Sequence, residues 1–167
     1  MSRREIVFWP DLRLTRKCRA VGDFDEALET LIKDMFDTMY AAGGRGLAAP
    51  QIGEICAVFV MDETWKQGEP SPQVFVNPEI LAQTGDMVTS EEGCLSIPGV
   101  TAEITRPANV RVAWQNAKAL RHDAMFSGFA ATCIQHECDH LDGVVTLDRL
   151  DDQERARVLK AYAEPLA

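Results

Sequence analysis

Hydrophobic residues recur with a helical period in segment 23–44. The apolar positions with this spacing are Leu28, Leu31, Ile32, Met35, Phe36 and Met39. Because residues three or four places apart share one face of a helix, the pattern predicts an amphipathic helix with that face in the core. Asp23 and Glu26 have the spacing of a capping box, and Gly43 with Gly44 would end the helix.

Four short runs rich in β-branched and aromatic residues follow. They cover 57–62, 73–80, 100–105 and 109–114. Turn residues separate these runs, and no segment of helical length lies between them. The pattern therefore predicts strands in an antiparallel arrangement.

A second helix is predicted from about Ser127 to Leu141, ended by Asp142 and Gly143. Both of its faces are apolar enough to be buried, so it should run through the middle of the domain. A charged helix begins near 151 and completes the chain. The prediction is one α+β domain over 1–167, with antiparallel β-sheets packed around a central helix, an amphipathic helix before them and a C-terminal helix after them.

Charge and composition narrow the classes of partner and the compartment. The formal net charge is −9 and no run of Lys or Arg interrupts it, so we expect neither DNA nor an anionic membrane as a partner. No apolar segment has the length needed to span a bilayer. The five cysteines are an odd number in a chain without a recognisable secretion signal, which favours a reducing compartment and makes the cytoplasm the expected location.

Two of the three histidines, His136 and His140, stand four places apart, with Glu137 directly after the first. On a helix these positions share a face, and two imidazoles so placed can bind one metal ion. The alternative is a pair of satisfied core histidines, or one histidine acting as a helix-end cation. A catalytic site of this kind needs three protein ligands and one open position, so a further ligand must come from elsewhere.

Cys94 is the candidate for the third ligand. It stands in "EEGCLSIPGV", a predicted loop between strand-like runs, where a thiolate could complete a tetrahedral set with two imidazoles. Cys138 points away from the histidine face, and Cys133 shares that face but is expected in a pocket wall. Cys18 and Cys56 are expected to be small buried apolar residues.

A third segment, "GGRGLAAPQIG" over 43–53, is rich in small residues that let the backbone approach a ligand closely. Gln51 supplies an amide that could donate to a developing oxyanion. A flexible connector between helix and strand is the alternative.

Together the three segments resemble the peptide deformylase family. Its motifs appear in the family's order as "GRGLAAPQ" (44–51), "EGCLS" (92–96) and "QHECDH" (135–140). The resemblance begins with "WPDLRL" near the N-terminus and continues through "LDRL" after the second helix. Three linked motifs are far more specific than any one of them.

The resemblance implies roles for individual residues. Cys94, His136 and His140 would be the metal ligands, with Fe²⁺ as the natural metal and Zn²⁺, Ni²⁺ or Co²⁺ able to substitute. Glu137 would act as general base and then general acid. The reaction would remove the formyl group from N-formyl-methionyl peptides and release formate.

Substrate binding follows from the same resemblance. The Gln51 side chain and the Leu95 backbone N–H would hold the oxyanion, and Gly46 would pair with the peptide in strand fashion. Arg106 matches a family arginine at the substrate cleft, and a solvated strand-end charge is its alternative.

The pocket for the methionine side chain departs from the family pattern. Family members usually have aliphatic residues there, whereas this chain has Ser90, Phe129, Thr132 and Cys133, and Arg45 occupies a motif position that is usually small or aliphatic. A deformylase-like paralogue with altered N-acyl-peptide specificity is therefore an alternative, as is another metallohydrolase. A non-catalytic peptide- or metal-binding paralogue is disfavoured by Glu137 and Gln51, which such a protein would not need.

Some members of the family use a C-terminal extension to dock on the ribosome. Here the basic residues of 151–167 are offset by acidic ones. We therefore expect at most a transient ribosome contact, without a strong basic anchor.

Overall fold

The computed structural model describes residues 2–164, which contain three α-helices and five β-strands. In chain order these are α1 (Glu26–Ala41), β1 (Gly46–Ala48), β2 (Val58–Asp62), β3 (Pro72–Cys94), β4 (Ile97–Gln115), β5 (Arg121–Phe126), α2 (Gly128–Leu141) and α3 (Asp152–Ala163). Short 3₁₀ turns lie at Leu12–Thr15, Ala49–Ile52, Trp65–Gln67 and Thr146–Arg149. The predicted α+β class is confirmed.

Helix α1 begins with a different cap from the predicted one. The side chain of Asp25, not Asp23, accepts a hydrogen bond from the Leu28 backbone N–H at 3.0 Å. The predicted apolar face does enter the core. Of its members, Leu28, Ile32, Met35 and Met39 are buried, and Leu31 and Phe36 are partly buried against them.

The strands form one five-stranded sheet in the order β1-β2-β3-β4-β5, rather than several sheets. Every neighbouring pair is antiparallel, as predicted. The runs 100–105 and 109–114 are parts of the single strand β4. The prediction divided this strand at Pro107 because proline has no backbone N–H to donate to a strand ladder. In the structure it lies opposite Met87, next to a register shift that relieves this requirement.

Two further strands were not predicted as such. Strand β1 lies in the glycine-rich segment that suggested a connector, and it is an edge strand of the sheet. Strand β5 pairs with the end of β4. Its alternation is hard to read because its residues are mostly exposed.

Helix α2 packs against β1, β2 and β4, and residues on several of its faces are buried. It ends before Gly143, whose φ of +76° lies in the left-handed region. A Cβ at this position would lie 2.6 Å from the Thr15 carbonyl oxygen, so the turn requires glycine. Helix α3 packs on β4 through the buried side chain of Val158. Among residues 2–164, no helix is both long and apolar enough to cross a membrane.

Candidate metal centre and cleft

Cys94, His136 and His140 come together at the junction of β3 and α2. One ligand atom from each of the three lies within 4.8 Å of the others. The Cys94 Sγ is 3.4 Å from the His140 Nε2. Cys94 is the last residue of β3 and not part of a loop as predicted, so the sheet itself positions the thiol. Three ligand atoms this close can bind a single metal ion.

The surroundings of Cys94 favour its thiolate form. Burial alone would raise the pKa of the thiol, but the charge of His140 and hydrogen bonds from both histidines lower that pKa well below its usual range. A thiolate with two imidazoles is a donor set that suits zinc and other divalent transition metals. The residues present therefore fit a resident metal ion.

Glu92 is a functional residue that the sequence analysis missed. Its Oε1 lies 3.0 Å from the Nδ1 of His136, which orients the ring and leaves Nε2 for a ligand. Burial tends to raise the pKa of Glu92, but hydrogen bonds from His136 and Arg106 lower it below its ordinary value. Glu92 stands two residues before Cys94 on one strand, and residues at that spacing share a face. The two-residue spacing from Cys94 is the sequence feature that could have identified Glu92.

Arg106 does not lie where the sequence predicted. It is not among the residues that line the cavity described below, and it is not a solvated charge, because only 5% of it is exposed. Its guanidinium binds both oxygens of Glu92, at 2.8 and 3.0 Å, and the Oδ2 of Asp139 at 3.0 Å. Arg106 therefore supports the carboxylate behind His136. The resemblance suggested an arginine of the site at this position, but it did not show the direction of the side chain.

A cavity of about 900 Å³ opens beside the three candidate ligands. The residues predicted from sequence that line it are Arg45, Gly46, Gln51, Ser90, Cys94, Leu95, Phe129, Thr132, Cys133, His136 and Glu137. His140 lies behind this surface. A cavity of this size accommodates several residues of a peptide or a compact small molecule.

Glu137 lies at the floor of the cavity with only 4% of its surface exposed. Its Oε2 is buried and has no hydrogen-bond partner among residues 2–164. Burial raises the pKa of this carboxyl, whereas the charges of His136 and His140 lower it, and the net shift is upward. A buried carboxylate oxygen without a partner is suited to exchanging a proton with a bound molecule.

Gly46 brings the backbone of β1 against Glu137. A Cβ at this position would lie 2.6 Å from the Glu137 Oε1 and 2.8 Å from the Cys133 Sγ. Any larger residue would displace the carboxylate or the thiol. The glycine therefore allows the edge strand to form a wall of the site.

Gln51 presents an oriented donor to the same space. Its Oε1 accepts a hydrogen bond from the Ala48 N–H at 2.9 Å, which leaves Nε2 facing the site. The Nε2 donates to the Ser96 Oγ at 3.1 Å and lies 3.6 Å from the Cys94 Sγ. Leu95 follows Cys94 in the turn between β3 and β4 and also lines the cavity.

One face of α2 forms a further part of the cavity wall. It runs from Phe129, which is half-buried, through Thr132 to the buried Cys133. The guanidinium carbon of Arg45 lies 3.7 Å above the centre of the Phe129 ring. Ser90 of β3 contributes a further hydroxyl to the lining.

Comparison with known proteins agrees with this arrangement. The family model for polypeptide deformylase matches residues 3–156. A peptide deformylase of Afipia carboxidovorans is 44% identical over 164 residues, which cover 98% of this chain and 96% of the relative. A peptide deformylase of Brucella suis is 43% identical, over 97% of this chain and 93% of the relative.

Solved structures show the same fold. The crystal structure of a peptide deformylase from Legionella pneumophila superposes with a TM-score of 0.91 at 40% identity, covering 96% of this chain and 94% of that chain. A plant peptide deformylase superposes with a TM-score of 0.92 at 36% identity, covering 97% and 88%. The chain therefore belongs to the polypeptide deformylase family, metalloenzymes that remove the formyl group from nascent N-formyl peptides.

Proposed function

We propose that this protein hydrolyses the formyl amide at the N-terminus of newly made N-formyl-methionyl peptides and releases formate. The observation that carries the proposal is the convergence of Cys94, His136 and His140 within 4.8 Å at a cavity whose floor is Glu137. Neither a peptide-binding module nor a structural domain needs a buried, partnerless carboxylate beside three potential metal ligands.

Cys94, His136 and His140 would hold the metal ion, which we propose to be Fe²⁺, with Zn²⁺, Ni²⁺ or Co²⁺ able to substitute. When bound, a divalent metal ion supplies Lewis acidity that brings the pKa of a coordinated water towards about 7. Glu92 would keep His136 in the tautomer that binds through Nε2.

Glu137 would take the proton of the attacking water and later deliver one to the departing amine. Its net raised pKa favours a carboxyl that can carry a proton between these two steps. The Nε2 of Gln51 and the backbone N–H of Leu95 would donate to the oxyanion that develops on the formyl oxygen. Gly46 lies on an edge strand, where an extended peptide can add its own main-chain hydrogen bonds.

A paralogue with altered specificity is the second candidate. The cavity lining supports it, because Ser90 and Thr132 bring hydroxyls to the proposed methionine pocket, and Arg45 brings a charge to another part of the same cavity. The intact arrangement around Glu137 and Gln51 supports a catalytic protein in either case.

We further propose that the enzyme acts in the cytoplasm with at most a transient contact to the ribosome. Arg155 and Arg157 of α3 form ion pairs with Asp148 and Glu154, at 3.3 and 3.0 Å. These pairs reduce the positive charge that α3 could offer to RNA phosphates.

Changing Glu137→Gln should lower kcat by about 10²- to 10⁴-fold while the metal content of the purified protein stays near the wild-type value. The substitution removes proton transfer but keeps the shape of the side chain and every ligand. Formate release and elemental analysis of the same preparation measure both quantities. Asp142→Asn, an exposed acidic position at the end of α2, is the matched control and should change neither. Near-wild-type turnover of Glu137→Gln would contradict the assignment.

Cys94→Ser should lose most of its metal after dialysis, whereas Cys138→Ser should retain it. Cys94 is the one cysteine of residues 2–164 within reach of both histidines, whereas Cys138 packs on the far side of α2. Elemental analysis of both variants beside the wild type gives the result. Equal metal content in the two variants would show that Cys94 is not a ligand.

Replacing Thr132 by Ile should increase the preference for formyl-methionyl peptides over formyl-alanyl and formyl-seryl peptides by about fivefold or more. The reason is that a hydroxyl that loses its water when the methionine side chain binds costs about 1–3 kcal/mol. The measurement is kcat/KM for the three peptides. Thr101→Ile is the control, because it makes the same change at an exposed strand position outside the cavity. An unchanged preference in Thr132→Ile would show that Thr132 does not contribute to the selection of the first peptide residue.

A further inference from the structure

Arg45 is positively charged and takes part in none of the ion pairs formed among residues 2–164. Its guanidinium lines the cavity and lies 3.7 Å above the Phe129 ring. Lys66 lines the same cavity and likewise takes part in no ion pair within the described range. Most arginines of the protein bind carboxylates, such as Arg4 with Asp34 and Arg111 with Asp123. The charge of Arg45 is thus available to a bound molecule.

Arg45 and Phe129 lie at the mouth of the cavity. Phe129 is half-buried near the start of α2, whereas Glu137, eight residues further along the helix, is almost fully buried. Eight residues of α-helix rise about 12 Å. An extended peptide advances about 3.3 Å per residue, so in a chain with its formyl group at Glu137 the second and third residues lie about 7 and 10 Å away, and an Asp or Glu side chain there can extend towards this level.

Within residues 2–164, no acceptor takes a hydrogen bond from the Arg45 guanidinium. The Phe129 ring lies against the guanidinium carbon, and because the N–H donors of a guanidinium lie in its plane, a ring over that carbon does not occupy them. This geometry suits two parallel hydrogen bonds to a carboxylate. Stacking also restricts the rotamers of Arg45, so that less conformational entropy is lost when a ligand binds.

The acidic residues around the cavity do not neutralise the charge of Arg45. Glu92 is bound to Arg106 and His136, and Glu137 lies at the reacting end. Glu91 is exposed on β3 at the cavity margin and would oppose an acidic peptide. Since the net charge of the protein is −9, its overall field also disfavours acidic peptides. A preference for acidic residues would therefore have to come from local contacts.

We propose that Arg45, held by Phe129, makes this enzyme select formyl-methionyl peptides that carry Asp or Glu at the second or third position. The proposal rests on the proposed function and specifies the substrate class of the same site. Arg45 is a specificity-determining residue in this view and takes no part in the proton transfers at Glu137.

The test is kcat/KM for formyl-Met-Asp-Ala, formyl-Met-Ala-Asp, formyl-Met-Ala-Ala and formyl-Met-Lys-Ala, all with amidated C-termini so that no terminal carboxylate contributes. We expect the better acidic peptide to exceed formyl-Met-Ala-Ala by about two- to fivefold, the range for a partly exposed ion pair. The ratio should fall in 0.5 M salt, because screening weakens such pairs.

Arg45→Leu should bring the ratio of acidic to neutral peptide close to one, because leucine can cover Phe129 but offers no charge. Arg16→Leu is the matched control: it removes the same charge from an exposed position outside the cavity and should leave the ratio unchanged. An equal kcat/KM for acidic and neutral peptides in the wild type would overturn the proposal. So would a preference that survives Arg45→Leu or that is abolished instead by Lys66→Met.

Failure of the proposed function would look different. In that case metal-loaded wild-type protein would release no formate from any of the four peptides, and both proposals would fall together. Formate release without a charge preference would overturn only the role of Arg45.

Discussion

The site depends on the docking of the end of β3 against α2. Cys94 belongs to the strand and the two histidines belong to the helix, so the three potential ligands meet only when these elements are in contact. A buried network of charges joins them, in which Arg106 binds Glu92 on the strand and Asp139 on the helix. Removing one partner of such a network leaves an uncompensated buried charge, at a cost of about 3–5 kcal/mol. The interaction thus stabilises the junction and orients His136 through Glu92.

The other walls of the site are attached to the same junction by main-chain hydrogen bonds. The N-terminal segment runs between two motifs, with the Val7 N–H donating to the Gln51 carbonyl at 2.7 Å and the Trp9 N–H donating to the Ser96 carbonyl at 2.9 Å. Tyr162 of α3 donates to the carbonyl of Trp9. The turn that carries Gln51 and the hairpin that carries Leu95 are therefore held by backbone bonds, and preorganised donors of this kind are what an oxyanion site requires.

Local patterns predicted the parts of this structure that depend on period and spacing. The apolar face of α1 and the antiparallel pairing could be predicted, because the 3.6-residue period of a helix and the 2-residue period of a strand indicate which side of the element is buried. His136 and His140 were readable because their spacing alone places them on one face of α2. Cys94 needed a motif, since nothing local shows that a strand end will meet a particular helix.

Contacts between distant segments explain the errors. Asp25 and Asp23 are equally good caps in sequence, and only the backbone geometry selects Asp25. Arg106 was misplaced because a strand residue can face either side of a sheet, and Pro107 beside a register shift obscures the alternation that would decide it. The stacking of Arg45 on Phe129 joins the residue before β1 to α2, so no sequence pattern could have revealed it.

The proposed activity requires that Cys94, His136 and His140 together hold one metal ion. X-ray absorption spectroscopy of the zinc-loaded protein tests it most directly, because sulfur and nitrogen neighbours scatter differently. We expect one sulfur at about 2.3 Å and two imidazole nitrogens at about 2.0–2.1 Å from the zinc, with a further light atom in the open position. A spectrum without a sulfur neighbour, or with oxygen neighbours alone, would contradict it.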